Sequence, residues 1–165
     1  MKVENALLTD IPVIEAIYES ARRYMRQNGN MHQWIGGYPQ REIIEQDIKN
    51  GNLYKVIDNG EIAAVFCYFE GVDPTYNKIY EGNWLNDNPY GVIHRIAVAS
   101  HRRGVASFCF EYCFNRSKNL KIDTHRDNAP MRNSLLKNGF VECGIIYLLN
   151  GDERIAYQKA NFNKP

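Results

Sequence analysis

Apolar residues recur at three- and four-residue intervals from Ile11 through Ile14, Ile17, Tyr18, Ala21 and Met25, which predicts an amphipathic helix. Thr9 or Asp10 supplies its N-cap, Pro12 fits its first turn, and Gly29 closes it. Ahead of it, Val3 to Leu8 reads as a short strand, and after it "REIIEQDIKNG" reads as a second, shorter helix. Two β-runs, "NLYKVID" and "EIAAVFCYFE", flank Asn59-Gly60, a strong local signal for a tight hairpin. The segment "GVDPTYNKIYEGNWLNDNPY" is polar and aromatic without a period, so it predicts loop with at most one short helix. Beyond it come a strand "GVIHRIAVA", an apolar helix "GVASFCFEYCFNRSK" and a strand "LKIDTH". A helix from Asn128 to Lys137 follows, and "FVECGIIYLLNGDERIAYQKA" gives two more strands around a turn. The order β-α-α-β-β-β-α-β-α-β-β predicts a mixed α/β fold in one domain over residues 1–165.

Composition changes this picture little. The 165 residues are 44% hydrophobic and 24% charged, and the formal net charge is +1. That balance gives no support for nucleic acid or an acidic membrane as partner. The start "MKVENALLTDIP" lacks the apolar core of an export signal, and the expected compartment is the cytoplasm. Cys67, Cys109, Cys113 and Cys143 sit in apolar stretches without CxxC spacing and read as small buried hydrophobes, not metal ligands. "DTHRDN" puts Asp123, His125 and Asp127 at alternate positions, which reads as a turn network with Asp127 or Asn128 capping the next helix.

The junction "RIAVASHRRGVASFCF" carries the chemistry. A strand runs into a turn with Gly104 and opens a helix, whose first N–H groups lack internal partners. Arg102 and Arg103 would be unfavourable beside that positive end by roughly 0.3–1 kcal/mol each, unless an anion such as a diphosphate sits between them. Gly104 admits close backbone approach, and Ala106 keeps the next turn slim.

These residues resemble the acetyl-CoA loop of the GCN5-related N-acetyltransferases (GNAT), [R/Q]-x-x-G-x-[G/A], with His101 standing where Arg or Gln is usual. "DNAPMRNSLLKNGF" is similar to the helical element of that family that packs beside coenzyme A, and the loops and tail resemble an uncharacterised bacterial subgroup. The resemblance implies a strongly twisted mixed sheet of about six to seven strands, flanked by about four helices and splayed between its fourth and fifth strands. It implies acetyl-CoA as co-substrate, an amine-bearing acceptor, and no metal, nucleic acid or membrane. Ile96, Ala97 and Val98 would border the pantetheine, and Arg102, Arg103, Gly104, Val105, Ala106 and Ser107 the pyrophosphate, with Asn128 near the distal arm. The tyrosine that protonates the leaving thiolate in many members falls at Leu135, so Ser134 or Tyr147 is the expected substitute.

His94 is the candidate base, because it alternates with Ile96 and Val98 along the strand and titrates in the useful range. Glu81 and Asp87 are the alternatives. Trp34, Tyr38, Tyr76, Trp84 and Tyr90 stud the two long loops and are expected to line the acceptor pocket. A non-catalytic acyl-CoA-binding sensor is the competing reading, and the sequence leaves open whether two chains pair.

Overall fold

The computed structural model describes residues 1–99 and 102–161; His101, the first position of the loop motif, lies outside them. Among the described residues, seven strands form one sheet in the order β1-β2-β3-β4-β5-β7-β6. They are β1 (Lys2–Asn5), β2 (Leu53–Asp58), β3 (Glu61–Glu70), β4 (Gly91–Val98), β5 (Asn119–Thr124), β6 (Val141–Tyr147) and β7 (Glu153–Ala160). The α-helices described are α1 (Ile11–Gln27), α2 (Arg41–Lys49), α3 (Val105–Ser117) and α4 (Ala129–Lys137), and they cover it.

The central strand β3 is buried on both faces, which explains its nearly unbroken apolar run. Val65 and Cys67 pack under α1 and α2 with Ile14, Ile17, Tyr18 and Ile44. Ala64, Phe66 and Tyr68 pack on the other side with Cys109, Phe110 and Cys113 of α3 and Leu135 of α4. Asp10 does stand at the N-cap of α1, yet its carboxylate does not cap the helix. It accepts instead from Leu7 N at 2.8 Å and Lys55 Nζ at 2.7 Å, tying the helix entrance to β2. The Asn59-Gly60 turn forms as expected, with both residues at positive φ (52° and 77°).

Two features of β4 prepare the site. It runs parallel to β5 but pairs with it only at Gly91↔Leu120 and Val92↔Lys121, so the strands part beyond Val92. On its other edge, Cys67↔His94 and Val65↔Ala97 leave Arg95 and Ile96 facing one residue of β3, a β-bulge. Arg95 takes φ 50° there.

Gly91 sits at the apex where the strands part, and a Cβ on it would meet Tyr68 Cε1 at 2.8 Å, Tyr68 Oη at 2.9 Å and Ser117 Cβ at 3.0 Å. The buried Tyr68 ring has nowhere to go, so Gly91→Ala should destabilise the protein by about 1–3 kcal/mol, the usual range for overpacking. Urea unfolding of the two proteins reads this, and equal midpoints would mean that the apex yields.

The segment 71–90 contains a short 3₁₀ turn, Pro74–Tyr76. It is pinned along its length. Tyr80 exchanges two backbone hydrogen bonds of 2.8 Å with Ile145, and Leu85 N donates to Gln158 Oε1 at 2.8 Å. Asn119 Nδ2 donates to Pro89 O at 3.0 Å. A loop held at both ends and in the middle can place a side chain accurately, and it places Asp73.

Candidate active site

Where β4 and β5 part, a cleft of about 550 Å³ opens. Its walls come from Ile93 to Ile96 of β4, Ile122 to Thr124 of β5, the α1–α2 loop, the β6–β7 loop, and Asn128 and Met131 at the start of α4. The sheet's missing ladder thus becomes both a cavity and a strand edge without a strand partner.

His94 lines this cleft, and its Nε2 lies 2.7 Å from Asp73 Oδ2. The bulge at Arg95 breaks the alternation expected from the sequence. Ile93 and Ile96 join the cluster under α3, with Val98 packed against it, whereas His94 stands opposite Cys67 on the α1 side of the sheet. There the imidazole sits beside the rings of Phe69 (6.0 Å) and Tyr76 (6.1 Å). Burial alone would raise the Asp73 pKa, but hydrogen bonds from His94 and from both N–H and hydroxyl of Thr75 override it and hold the carboxyl at about 2. An ionised carboxylate only accepts, so Nε2 of His94 is the donor in this contact. Asp73 also donates its backbone N–H to Tyr90 Oη at 3.0 Å.

A carboxyl pKa lowered by folding stabilises the native state above its unfolded value, and that stability disappears as pH falls through the folded one. For Asp73 the window runs from about pH 4 down to about pH 2, and the contribution is on the order of 2 kcal/mol. Urea midpoints of wild type and Asp73→Asn should therefore converge across that window; parallel curves between pH 5 and 2 would show that the carboxylate is not held as described.

Two of the expected coenzyme-binding residues reach the cleft. Ile96 and Asn128 line the cleft. Val98 continues the edge of β4, while the Ala97 side chain packs into the α1–α2 cluster and leaves only backbone for a ligand. Gly104 is the N-cap of α3 at φ 77°, with no side-chain cap, so the amides of Val105, Ala106 and Ser107 open the helix uncovered by a capping group. Arg103 is exposed. Arg102 differs from the expectation: its guanidinium is paired with Glu61 (2.6 Å) and Asp58 (3.4 Å) of the β2–β3 hairpin. Its charge is partly neutralised from within the protein.

Asn128 is buried, caps α4 by accepting from Met131 N at 3.2 Å, and donates to Gln33 Oε1 at 3.0 Å. It therefore ties α4 to the α1–α2 loop. Arg26 fastens the same loop by donating to the carbonyls of Asn30, Gln33 and Trp34 at 2.8–3.0 Å. In "DTHRDN", His125 Nδ1 accepts from Asp127 N at 3.0 Å, the turn network expected there.

The five loop aromatics divide. Trp34 and Tyr38 line the cleft. Tyr76, Trp84 and Tyr90 do not; they pack together beneath it, with Lys121 Nζ held 4.1 Å from the Trp84 ring centroid and 4.0 Å from that of Tyr90. Tyr76 donates to Asp123 Oδ2 at 2.6 Å, and burial first, then Asp123, pushes its phenol well above the ordinary range. Of the five expected pocket residues, two are thus wall and three are foundation.

Leu135 is wholly buried in the α3-side core. Ser134 and Tyr147 are not brought to the cleft: the Ser134 carbonyl accepts from Asn138, and Tyr147 stacks edge-on against Tyr80 at the surface of β6. Glu81 lies in a separate depression with Arg126 and Arg132. Sequence reasoning missed Asp73, Thr124 and Arg154, all of which line the cleft. Asp73 precedes Pro74, a helix-start signal that could have marked it as a cap, since its Oδ1 accepts from Thr75 N.

Solved structures of similar shape include acetyltransferases. A GNAT-family acetyltransferase from Streptococcus agalactiae is 34% identical, with a TM-score of 0.89 over 97% of this chain and 95% of that one. The ribosomal-protein-alanine N-acetyltransferase of Brucella melitensis shares the fold at 17% identity and TM-score 0.59, covering 98% of this chain and 100% of its own. A Bacillus subtilis acetyltransferase crystallised with CoA does so at 13% identity and TM-score 0.64, covering 98% and 99%. No protein-family profile and no curated protein matches the chain.

Proposed function

The chain belongs to the GNAT family of acetyltransferases, and on that premise we propose that it transfers an acetyl group from acetyl-CoA to a primary amine by direct attack. The observation that carries this reading is the Asp73–His94 pair in the wall of a cleft that opens beside an unpaired strand edge.

The residues on the coenzyme side fit such a ligand. The free edge of β4 from Ile93 to Val98 offers backbone groups to the pantetheine, as an added strand would use them. The uncapped amides at the start of α3 suit a diphosphate, and Gly104 keeps the approach clear, since a Cβ there would meet nothing within 4 Å. Arg103 adds a positive charge at that end.

On the other side, the acceptor amine must lose a proton before its lone pair can attack. An alkyl ammonium with pKa near 10.4 is almost wholly protonated at pH 7. His94 Nδ1 takes that proton, directly or through water, while Asp73 fixes the tautomer and stabilises the imidazolium that results. The amine nitrogen then bonds to the thioester carbonyl carbon, the C–S bond breaks, the sulfur leaves with its electron pair, and the nitrogen gives up its surplus proton to that thiolate or to water. A thiol pKa near 8.5 makes that thiolate a tolerable leaving group without a neighbouring acid, which accommodates leucine at position 135. Base catalysis of this kind contributes about 10²–10⁴-fold, and alignment of the two reactants supplies the rest.

A thermal-shift titration tests the donor half. Acetyl-CoA at a hundred times its dissociation constant should stabilise the fold by about 2.7 kcal/mol, several degrees in melting temperature. Thiol release with an amine panel tests the transfer half. Binding without release for any amine would favour an acyl-CoA sensor, and an unmoved melt would remove the donor altogether.

A further inference from the structure

Beneath the cleft, Lys121 is a cation in an unusual place. It stands on β5 at the last rung before the strands part, paired with Val92 of β4, and is 4% exposed. It makes no ion pair among the described residues, and the Asp87 carboxylate acts on it only at longer range. Its ammonium rests instead against two rings, 4.1 Å from the centroid of Trp84 and 4.0 Å from that of Tyr90. An apolar side chain would fill the same space without the cost of taking a charge out of water. What a cation adds is direction: the negative face of each ring turns towards one point, which fixes the planes of both.

Both rings lead on to the catalytic pair. The Tyr90 hydroxyl accepts the backbone N–H of Asp73 at 3.0 Å, and the Tyr90 carbonyl accepts that of Gly71 at 3.2 Å. Trp84 Nε1 donates to the Tyr76 carbonyl at 2.8 Å, on the other side of Asp73 along the chain. Asp73 Oδ2 then meets His94 Nε2 at 2.7 Å. A line of contacts therefore runs from β5, through two ring faces and one peptide N–H, to the imidazole on β4 across the parting.

We propose that Lys121 is a positioning residue for acetyl transfer: its ammonium, seated against Trp84 and Tyr90, sets the place of Asp73 and through it the orientation of the His94 imidazole. The kinetic consequence rests on the acetyl-transfer reading above, whereas the placement itself can be read without turnover. Lys121 is not part of the cleft wall, so its effect belongs to kcat. When the rings slacken, Asp73 moves off Nε2 and fewer bound complexes hold the imidazole in line with the amine. The edge of β4 and the start of α3 on the coenzyme side are not touched.

Three substitutions test this, each made in wild type and in His94→Ala. Lys121→Met keeps the length and the apolar stem and removes the charge. Lys121→Arg returns a cation that stacks on rings. Tyr90→Phe keeps the ring against Lys121 and removes the hydroxyl that receives the Asp73 N–H. With acetyl-CoA and an amine that wild type acetylates, Lys121→Met should lower kcat about tenfold, with acceptor KM and coenzyme dissociation constant within about twofold. Tyr90→Phe should act in the same sense, and Lys121→Arg should return kcat to within about threefold of wild type. In His94→Ala none of the three should change kcat by more than about twofold, because the group they position is gone. A merely structural role would lower kcat in both backgrounds.

The second readout is the Nε2–H proton of His94, followed by NMR in imidazole-labelled protein and identified by its absence from His94→Ala. Its exchange with water should be about tenfold faster or more in Lys121→Met than in wild type or Lys121→Arg. A folded Lys121→Met with wild-type kcat and wild-type exchange overturns the proposal, as does an equal loss of kcat with and without His94. Circular dichroism melts identify a variant that has lost its fold; if Lys121→Met is one, Tyr90→Phe decides by the same two readouts. A wild type that binds acetyl-CoA and acetylates no amine would remove the transfer reading, and the His94 proton would still decide whether Lys121 holds the pair.

Discussion

Replacing His94 with alanine should lower kcat for acetyl transfer by about 10²–10³-fold while leaving the dissociation constant for acetyl-CoA nearly unchanged. The two halves of that result have separate causes. The His94 imidazole lines the cleft with Nε2 committed to Asp73, which leaves Nδ1 for the incoming amine. The coenzyme-side elements, by contrast, are backbone: the edge of β4 and the start of α3. Loss of a side chain on the opposite face leaves them where they were. The pH profile sharpens the test. Wild-type kcat should rise with pH through the ionisation of an imidazole, and that limb should vanish in His94→Ala, whose residual rate should follow the ionisation of the amine. Steady-state rates from pH 5.5 to 9.5 and a coenzyme titration measure both. A kcat within threefold of wild type would assign the proton to some other acceptor, a water chain first.

Arg95→Ala should be the most damaging substitution for stability, by about 3–5 kcal/mol. Its side chain leaves a buried carboxylate, Asp47 at 7% exposure, with two of its hydrogen bonds gone. Tyr38 Oη loses a donor at 3.0 Å as well. In a chain of this length, a change of that size lowers the melting temperature by about 6–20 °C. Lysine would restore the charge but not the fork that meets both oxygens of Asp47, so Arg95→Lys should recover only part of the loss. The double variant Arg95→Ala/Asp47→Ala should be more stable than Arg95→Ala alone, because the stranded charge has been removed with its partner. Melts of the four proteins in a cycle give the coupling, and additive effects would mean the pair is not coupled.

Arg95 also shows where sequence reading stopped. The elements themselves were legible: the 3.6-residue period of α1, the Asn59-Gly60 turn and the apolar run of β3 are local, and local physics produces them. The bulge at Arg95 is not local. It is held by Asp47 of α2, by Tyr38 of the loop before it, and by Tyr18 of α1, whose hydroxyl donates to the Arg95 carbonyl at 2.8 Å. No window around residue 95 contains those partners, so parity along the strand placed His94 on the wrong face. The same holds for Asp73, which meets His94 from 21 positions away, and for Arg154, which reads in sequence as an ordinary charge on a strand. The aromatic loops announced that something large and half-buried was present. They did not distinguish Trp34 and Tyr38, which face the cleft, from Tyr76, Trp84 and Tyr90, which support it. That distinction is made by Lys121, which reaches the latter group from β5.

The two residue pairs that join β4 to β5 have a mechanical meaning. Residues 1–98 build one leaf of the sheet and residues 119–160 the other, and beyond Val92 the leaves are bridged by greasy side chains, those of α3 against Ala64, Ile96 and Ile122. Apolar attraction has no preferred direction, whereas a strand ladder tolerates only narrow angles. The seam therefore yields more readily than an unbroken ladder would, within the slack left by the polar ties across it, among them Tyr76 to Asp123 and Asn128 to Gln33, as a leather hinge gives where a riveted one would crack.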